Sequence, residues 1–84
     1  MLTVSVISPE ATLFTGEAES VVAPAFDGEV GILTGHAPMI TALGSGTLRV
    51  QGSGGARLFT VAGGFLQVVD NQVRVVTERA VTQQ

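Results

Sequence analysis

Apolar and polar side chains alternate along several short segments of the chain. Residues 2–6 and 47–51, with the sequences LTVSV and TLRVQ, each change character at every position. A period of two is typical of a β-strand that buries one face. Val68-Val69 and Val75-Val76 instead place apolar groups on both faces, which predicts strands that are central in a sheet or covered by another surface.

Turn-forming residues separate these segments at intervals of about ten residues, as in an all-β sandwich or barrel. The clearest predicted hairpin joins residues 65–69 to residues 72–77 across Asp70 and Asn71. Both turn residues tolerate the left-handed backbone that a two-residue turn requires. A second hairpin is predicted from residues 48–51 to residues 57–62 through the four-residue turn GSGG.

The remaining patterns argue against helices. Thirteen valines, nine threonines and three isoleucines favour pleated strands, and no window shows sustained helical spacing of apolar residues. Gly63-Gly64 lies between two strand segments and predicts a bulge, a corner or a close approach of another backbone. We therefore predict an all-β domain over residues 1–80 with almost no helix, followed by a short polar tail at 81–84 that frays from about residue 80.

Composition and charge then narrow the function classes. The chain has 84 residues, enough for one domain, and only 13% of them are charged, which predicts that part of its surface is covered by a partner. The absence of cysteine excludes disulfides and thiol chemistry, and it fits a reducing compartment. The formal charge of -3 and the scattered arginines argue against nucleic acid. No signal peptide is recognisable, and the charge-free residues 30–48 contain too many glycines for a membrane span, so we expect a cytosolic protein without direct bilayer insertion.

Candidate chemistry is sparse. The only histidine, His36, stands in the loop sequence GILTGHAPMIT, with no second catalytic group and no metal-ligand spacing around it. An enzyme built around His36 is therefore the last of the alternatives, and no catalytic residue, cofactor or metal is predicted. The absence of lysine excludes lipoyl and biotinyl carrier domains. The acidic turn at Asp27 and Glu29 suits the rim of an interface, so the residues alone predict a non-catalytic β-sandwich that binds other proteins.

Two longer motifs go further. The stretch DGEVGILTGHAP at residues 27–38 and the segment AGGF at residues 62–65 stand in the order and at the spacing of one family. With them, the sequence from Leu2 to about Ala80 closely resembles the N-terminal domain of the epsilon subunit of bacterial F-type ATP synthase.

This resemblance implies a ten-stranded β-sandwich at the foot of the rotary central stalk of F1Fo. Such a subunit docks on the gamma subunit and on the polar loops of the c-ring, and it couples proton translocation to ATP synthesis without catalysing a reaction itself. The implied location is peripheral, at the cytoplasmic face of the bacterial inner membrane. Positions matching Glu29, Gly35 and His36 would face the c-ring as neighbours on one rim, and positions matching Ser8 and Thr41 would lie towards gamma.

The resemblance does not extend to every part of the family's members, and one alternative function stays open. Most members of the family carry a further helical hairpin after the sandwich, and these 84 residues contain no candidate for it. Neither inhibition by those helices nor ATP binding is therefore expected of this chain. The competing hypothesis is a generic β-sandwich adaptor outside the synthase, which would explain the composition equally well but not the ordered motifs.

Overall fold

Two β-sheets packed face to face make up the protein. The computed structural model describes residues 1–83, and within them it contains ten strands and no helix. The predicted ten-stranded β-sandwich is confirmed. The strands are β1 (Leu2–Ile7), β2 (Thr12–Ala18), β3 (Ser20–Ala25), β4 (Gly28–Leu33), β5 (Met39–Ala42), β6 (Ser45–Gly52), β7 (Gly55–Ala62), β8 (Phe65–Val69), β9 (Gln72–Val76) and β10 (Arg79–Gln83).

Each sheet has five strands. The first sheet has the order β2-β1-β9-β8-β5 and the second has the order β10-β7-β6-β3-β4. All strand pairs are antiparallel except β1 and β9, which run parallel from Thr3 opposite Gln72 to Ile7 opposite Val76. The edge strands β4 and β5 belong to different sheets and are joined by residues 34–38.

The core lies between the sheets and follows the alternation that the sequence predicts. Leu2, Val4 and Val6 of β1 are fully buried, whereas Thr3 between them is exposed. The largest fully buried side chain is Phe59 of β7, which faces the core from the second sheet. The strands β8 and β9, with their paired valines, are internal strands of the first sheet, as predicted.

Both predicted hairpins are present, and one is tighter than expected. Asp70 and Asn71 form the β8–β9 turn with φ of 51° and 62°, in the left-handed region that this turn needs. The ladder of the second hairpin continues to Gly52 opposite Gly55, so its turn contains only two residues, Ser53 and Gly54. Glycine at position 55, with φ of 125°, makes this closer turn possible.

Gly63 and Gly64 form the corner where the chain passes from the second sheet to the first. Their φ angles are +74° and +96°, and the carbonyl of Gly64 accepts a hydrogen bond of 3.0 Å from the amide of Leu43. A Cβ atom added to Gly64 would lie 2.7 Å from the Cα of Thr77. The predicted close approach of another backbone is therefore confirmed.

The end of the chain differs from the prediction. Residues 79–83 form β10 and pair with β7, so the structure has a paired strand where the sequence predicts a polar tail. Ala80 packs against the core, and the side-chain amide of Gln83 donates to the Thr60 hydroxyl on the outer face. One inward apolar contact and one polar cross-strand pair thus hold a segment that composition alone marks as a tail. Gln84 lies outside the described residues.

Thr77 is the polar side chain that ties this corner together. It is buried, and its hydroxyl lies 2.9 Å from the carbonyl oxygen of Arg79 and 3.0 Å from that of Gly63. Its own amide donates to the Ile7 carbonyl over 2.9 Å. The link between β9 and β10 is thereby held to both sheets.

We expect Thr77→Val to lower the free energy of unfolding by about 1–3 kcal/mol, because it keeps the shape but removes the buried donor. Denaturant unfolding measures the change. Thr15→Val, at an exposed position of β2, is the matched control and should cost less than about 0.5 kcal/mol. Equal losses for the two variants would contradict a structural role for the Thr77 hydroxyl.

Candidate functional site

The first sheet has two ends, and the candidate residues fall near them. The Ser8 end comprises the β1–β2 turn at residues 8–11 and the last residues of β5 and β9. The His36 end comprises the loop at residues 34–38 and the β8–β9 turn. This assignment follows from the register, in which β1 and β9 run together and β5 and β8 run in opposite directions.

At the His36 end, hydrogen bonds fix the loop. Gly35 has φ of +86°, and its amide donates to the Oδ1 of Asn71 over 2.7 Å. The amide of His36 donates to the Leu33 carbonyl over 3.1 Å. The imidazole Nδ1 of His36 lies 2.7 Å from the carbonyl oxygen of Ala37. Gly35 and His36 therefore belong to one ordered surface loop that is tied to the neighbouring turn.

Glu29 lies apart from this loop. It is exposed on β4 opposite Pro24, next to the β3–β4 turn, whose Phe26 amide donates to the Ala42 carbonyl over 3.2 Å. Glu29 and Leu33 are four positions apart on the strand, which corresponds to about 13 Å of extended chain. The acidic turn and the histidine loop therefore flank opposite ends of β4. The structure brings Gly35 and His36 together, but it does not bring Glu29 beside them.

Ser8 and Thr41 both lie towards the Ser8 end. The amide and the hydroxyl of Ser8 donate to the Ala11 carbonyl over 2.8 Å and 3.3 Å, which closes the β1–β2 turn. Thr41 is half-buried and stands opposite the buried Leu66, so its side chain faces the interior side of β5. Ser8 follows β1 and Thr41 lies on the edge strand β5, so β9 and β8 stand between them in the sheet.

An apolar row crosses the outer face of the first sheet between these two residues. Ile7 stands opposite Val76, Val76 opposite Phe65, and Phe65 opposite Ala42, so the four side chains are direct cross-strand neighbours. We call these four residues the apolar row. Each of the four side chains points outward, because its neighbours along the strand are buried or face inward. None of the four belongs to the core cluster of residues 1–83.

The apolar surface extends towards the His36 end. Ile40 and Val69 are 68% and 40% exposed on the same outer face. They line an open cleft of about 300 Å³ together with Pro38, Met39 and Gln67. In the apolar row, Ile7, Phe65 and Val76 are half-buried and Ala42 is exposed. Together with the cleft they form a partly exposed apolar surface, and surfaces of this kind mark interaction sites.

The outer face of the second sheet is polar by comparison. Thr47 stands opposite Thr60, and Arg49 donates to the side chain of Gln51 over 3.2 Å. The exposed large apolar residues of this face, Val81 on β10 and Leu33 on β4, lie on its two opposite edge strands. On the first sheet, by contrast, apolar side chains form a row that crosses four adjacent strands.

Two features of these surfaces were missed in the sequence. The pair Val75-Val76 indicates that an outer face is apolar. That Ile7 and Phe65 belong to the same apolar surface follows only from which strands are neighbours. The sequence marks Asn71 only as a turn residue, although its side-chain oxygen also accepts a hydrogen bond from the Gly35 amide. Nothing local to either residue predicts that contact, since 36 positions separate them.

The remaining surface of the described residues includes a further open cleft. Within residues 1–83, no group of three or more histidine and carboxylate side chains is placed to hold a metal ion. The open cleft between β2 and the β6–β7 turn has a volume of about 310 Å³ and contains Glu17 and Arg57, whose guanidinium carbon lies 5.5 Å from the centre of the Phe14 ring. The described part of the chain includes no helix long and apolar enough to cross a bilayer.

Comparison with known proteins agrees with the fold and the motifs. Residues 1–83 match the family described as the β-sandwich domain of the ATP synthase delta/epsilon chain. The ATP synthase epsilon chain of Synechococcus sp. (strain JA-2-3B'a(2-13)) is 46% identical over 79 residues, which cover 94% of this chain and 58% of the relative. That of Rhodopirellula baltica is 49% identical over 76 residues, covering 90% and 59%. The chain thus spans a little over half the length of these relatives.

Solved structures show the same architecture. A chain of the Euglena gracilis mitochondrial ATP synthase, in a structure of OSCP, F1 and c-ring, superposes with a TM-score of 0.89 at 26% identity, over 96% of this chain and 52% of that one. A chain from the central stalk and c-ring of the Tetrahymena thermophila enzyme has a TM-score of 0.81 at 16% identity, over 95% and 65%, and shares the fold. From the sequence match and the ten-stranded sandwich together, the chain belongs to the family of ATP synthase delta/epsilon chain β-sandwich domains.

Proposed function

We propose that this chain acts in the rotor of F1Fo ATP synthase, as a non-catalytic part of the central stalk that couples proton translocation to ATP synthesis. The family and the names of its relatives support this function. The apolar row is the structural observation that supports this function most directly. The inner face of the first sheet is buried in the core, so the apolar side chains on its outer face remain available to a partner. In a bacterial cell, this function implies a peripheral position at the cytoplasmic face of the inner membrane.

The gamma subunit is the proposed partner of the outer face of the first sheet. Ser8 follows Ile7 and Thr41 precedes Ala42, so the two residues expected to lie towards gamma flank the two ends of the apolar row. Burial of Val76 and Phe65 against gamma would remove apolar surface from water, which is the main driving force for association.

The c-ring is the proposed partner of a second region, which contains Glu29, Gly35 and His36. Because Glu29 and His36 flank the two ends of β4, one partner can contact both only by lying along the β4 edge. The c-ring presents a circle of polar loops, and such a circle could offer several contacts along one edge. We therefore propose that β4 faces the c-ring.

Transmission of torque requires a part that does not deform between its two contacts. The sheets are joined at the Ser8 end by the backbone hydrogen bond of 3.2 Å from the Phe26 amide to the Ala42 carbonyl. At the His36 end, Asn71 links the loop to the β8–β9 turn. These connections support a rigid body between gamma and the c-ring.

Purification from native membranes tests the function directly. A tagged chain is expected to bring down gamma, the catalytic subunits and the c-ring, whereas Glu29→Ala with His36→Ala should retain gamma and lose much of the c-ring. Two desolvated polar contacts at about 1–3 kcal/mol each predict at least a tenfold loss of c-ring and reduced proton-driven ATP synthesis.

The control is Glu78→Ala with Arg79→Ala, two exposed residues at the β10 edge of the second sheet, on the side opposite β4. Wild-type ATP synthesis and assembly in the Glu29 and His36 variant would refute the c-ring contact. If the tagged chain recovers other proteins and no synthase subunit, the result would favour the competing hypothesis of an adaptor outside the synthase.

A further inference from the structure

The hydrogen bond of His36 determines which ring nitrogen carries the proton. The Nδ1 atom lies 2.7 Å from the carbonyl oxygen of Ala37, and a carbonyl oxygen can only accept. Nδ1 is therefore the donor, and in the neutral ring the Nε2 atom has a free lone pair. No other hydrogen bond to this imidazole is formed within residues 1–83.

The backbone around His36 is held on both sides, so the ring has a defined position. The Gly35 amide donates to the Oδ1 of Asn71 over 2.7 Å, and the His36 amide donates to the Leu33 carbonyl over 3.1 Å. Asn71 is itself fixed, because its left-handed backbone with φ of 62° closes the β8–β9 turn and its carbonyl accepts the Thr3 amide over 2.8 Å.

We propose that Asn71 is a positioning residue that, with the Ala37 carbonyl, holds neutral His36 in the Nδ1–H tautomer and presents Nε2 as a hydrogen-bond acceptor. The group that binds His36 is then a donor, such as a guanidinium, an amide or a hydroxyl of a polar loop. The assignment of that donor to the c-ring rests on the proposed function. The tautomer and the role of Asn71 do not.

The inference is specific because a neutral histidine in water prefers the other tautomer, with the proton on Nε2. The ring hydrogen bond reverses this preference only while the loop keeps its shape. Glycine at position 35 adopts the φ of +86° without strain but is free to adopt other backbone conformations, so the Asn71 contact selects this one.

Imidazole nitrogen NMR on the 84-residue chain tests the tautomer, at a pH at which His36 is neutral. The comparison uses Asn71→Gly, which allows positive φ but lacks the acceptor, and Asn71→Asp, which keeps an oxygen at the same place. Wild type and Asn71→Asp are expected to show mainly Nδ1–H. In Asn71→Gly, the Nε2–H population should rise and the Gly35 amide should exchange at least tenfold faster.

A wild-type ring that is mainly Nε2–H would overturn the tautomer assignment. Equal Gly35 exchange in the three proteins would overturn the positioning role of Asn71. Both outcomes are independent of any partner, because they are measured on the isolated chain, whose unfolding midpoint identifies a variant that has lost its fold.

Binding to detergent-solubilised c-ring tests the chemistry of the partner. His36→Gln, which retains an acceptor oxygen, is expected to bind about threefold more weakly than wild type, and His36→Leu at least tenfold more weakly. Equal affinity of His36→Leu and wild type would refute the acceptor role of Nε2. A wild-type chain that does not bind the c-ring would overturn the proposed c-ring contact, while the NMR result would still decide the tautomer.

Discussion

Replacing Gly64 with alanine is expected to lower the free energy of unfolding by about 4 kcal/mol, which would remove most of the stability of a domain of this size. The new Cβ would lie 2.7 Å from the Cα of Thr77 and 2.9 Å from the carbonyl carbon of Val76. Both atoms belong to a backbone that is fixed by neighbouring strands, so neither can move away cheaply. The φ of +96° adds conformational strain for any residue with a side chain.

Two other glycines make this prediction sharper. Gly63→Ala has a similar φ of +74°, but its Cβ would meet only the carboxylate end of Glu78, which can rotate away. We expect it to cost about 1–2 kcal/mol. Gly54→Ala has no atom within 4 Å of the added carbon and should lie within about 0.5 kcal/mol of wild type. Denaturant unfolding ranks the three variants by their loss of free energy of unfolding. A loss for Gly64→Ala no larger than that for Gly63→Ala would refute the steric argument.

The second large effect is expected on the binding of gamma. Phe65→Asp places a charge in the centre of the apolar row, where Val76 and Ala42 are its direct neighbours on either side. A carboxylate buried in an apolar interface without a partner costs about 2 kcal/mol or more, so the affinity for gamma should fall at least thirtyfold. A titration with purified gamma measures it.

The matched control introduces the same charge on the other side of the sandwich. Val81 is 60% exposed on the outer face of the second sheet, and Val81→Asp should bind gamma as wild type does. Phe65 does not belong to the core cluster of the described residues, so both variants are expected to fold, and circular dichroism checks this. Equal affinities of the two variants would exclude the apolar row as the gamma surface.

The sequence predicts local features of this fold well, because those features depend on neighbouring residues. Alternation in residues 2–6 marks a strand with one buried face, and the left-handed tolerance of Asp70 and Asn71 marks their turn. The glycine pair at 63 and 64 indicates a close approach even though the sequence does not show which backbone approaches.

What the sequence alone does not show depends on contacts between distant segments. The row formed by Ile7, Val76, Phe65 and Ala42 exists only once the strand order is known, since its members come from four strands. The hydrogen bond from Gly35 to Asn71 likewise joins a loop and a turn that are far apart in the chain. The residues of β10 are mostly polar, which is typical of a tail. They form a strand because pairing with β7 satisfies their backbone hydrogen-bonding groups.

The parallel pairing of β1 with β9 has a consequence for how the molecule is made. The two strands are about seventy positions apart, so the first strand to leave the ribosome cannot find its central neighbour until nearly the whole sandwich has been synthesised. Closing so long a loop makes folding slow relative to domains built from local hairpins. Until then, the edge of β1 that β9 covers has no backbone partner, and an amino-terminal fragment ending before residue 72 is expected to aggregate through that edge.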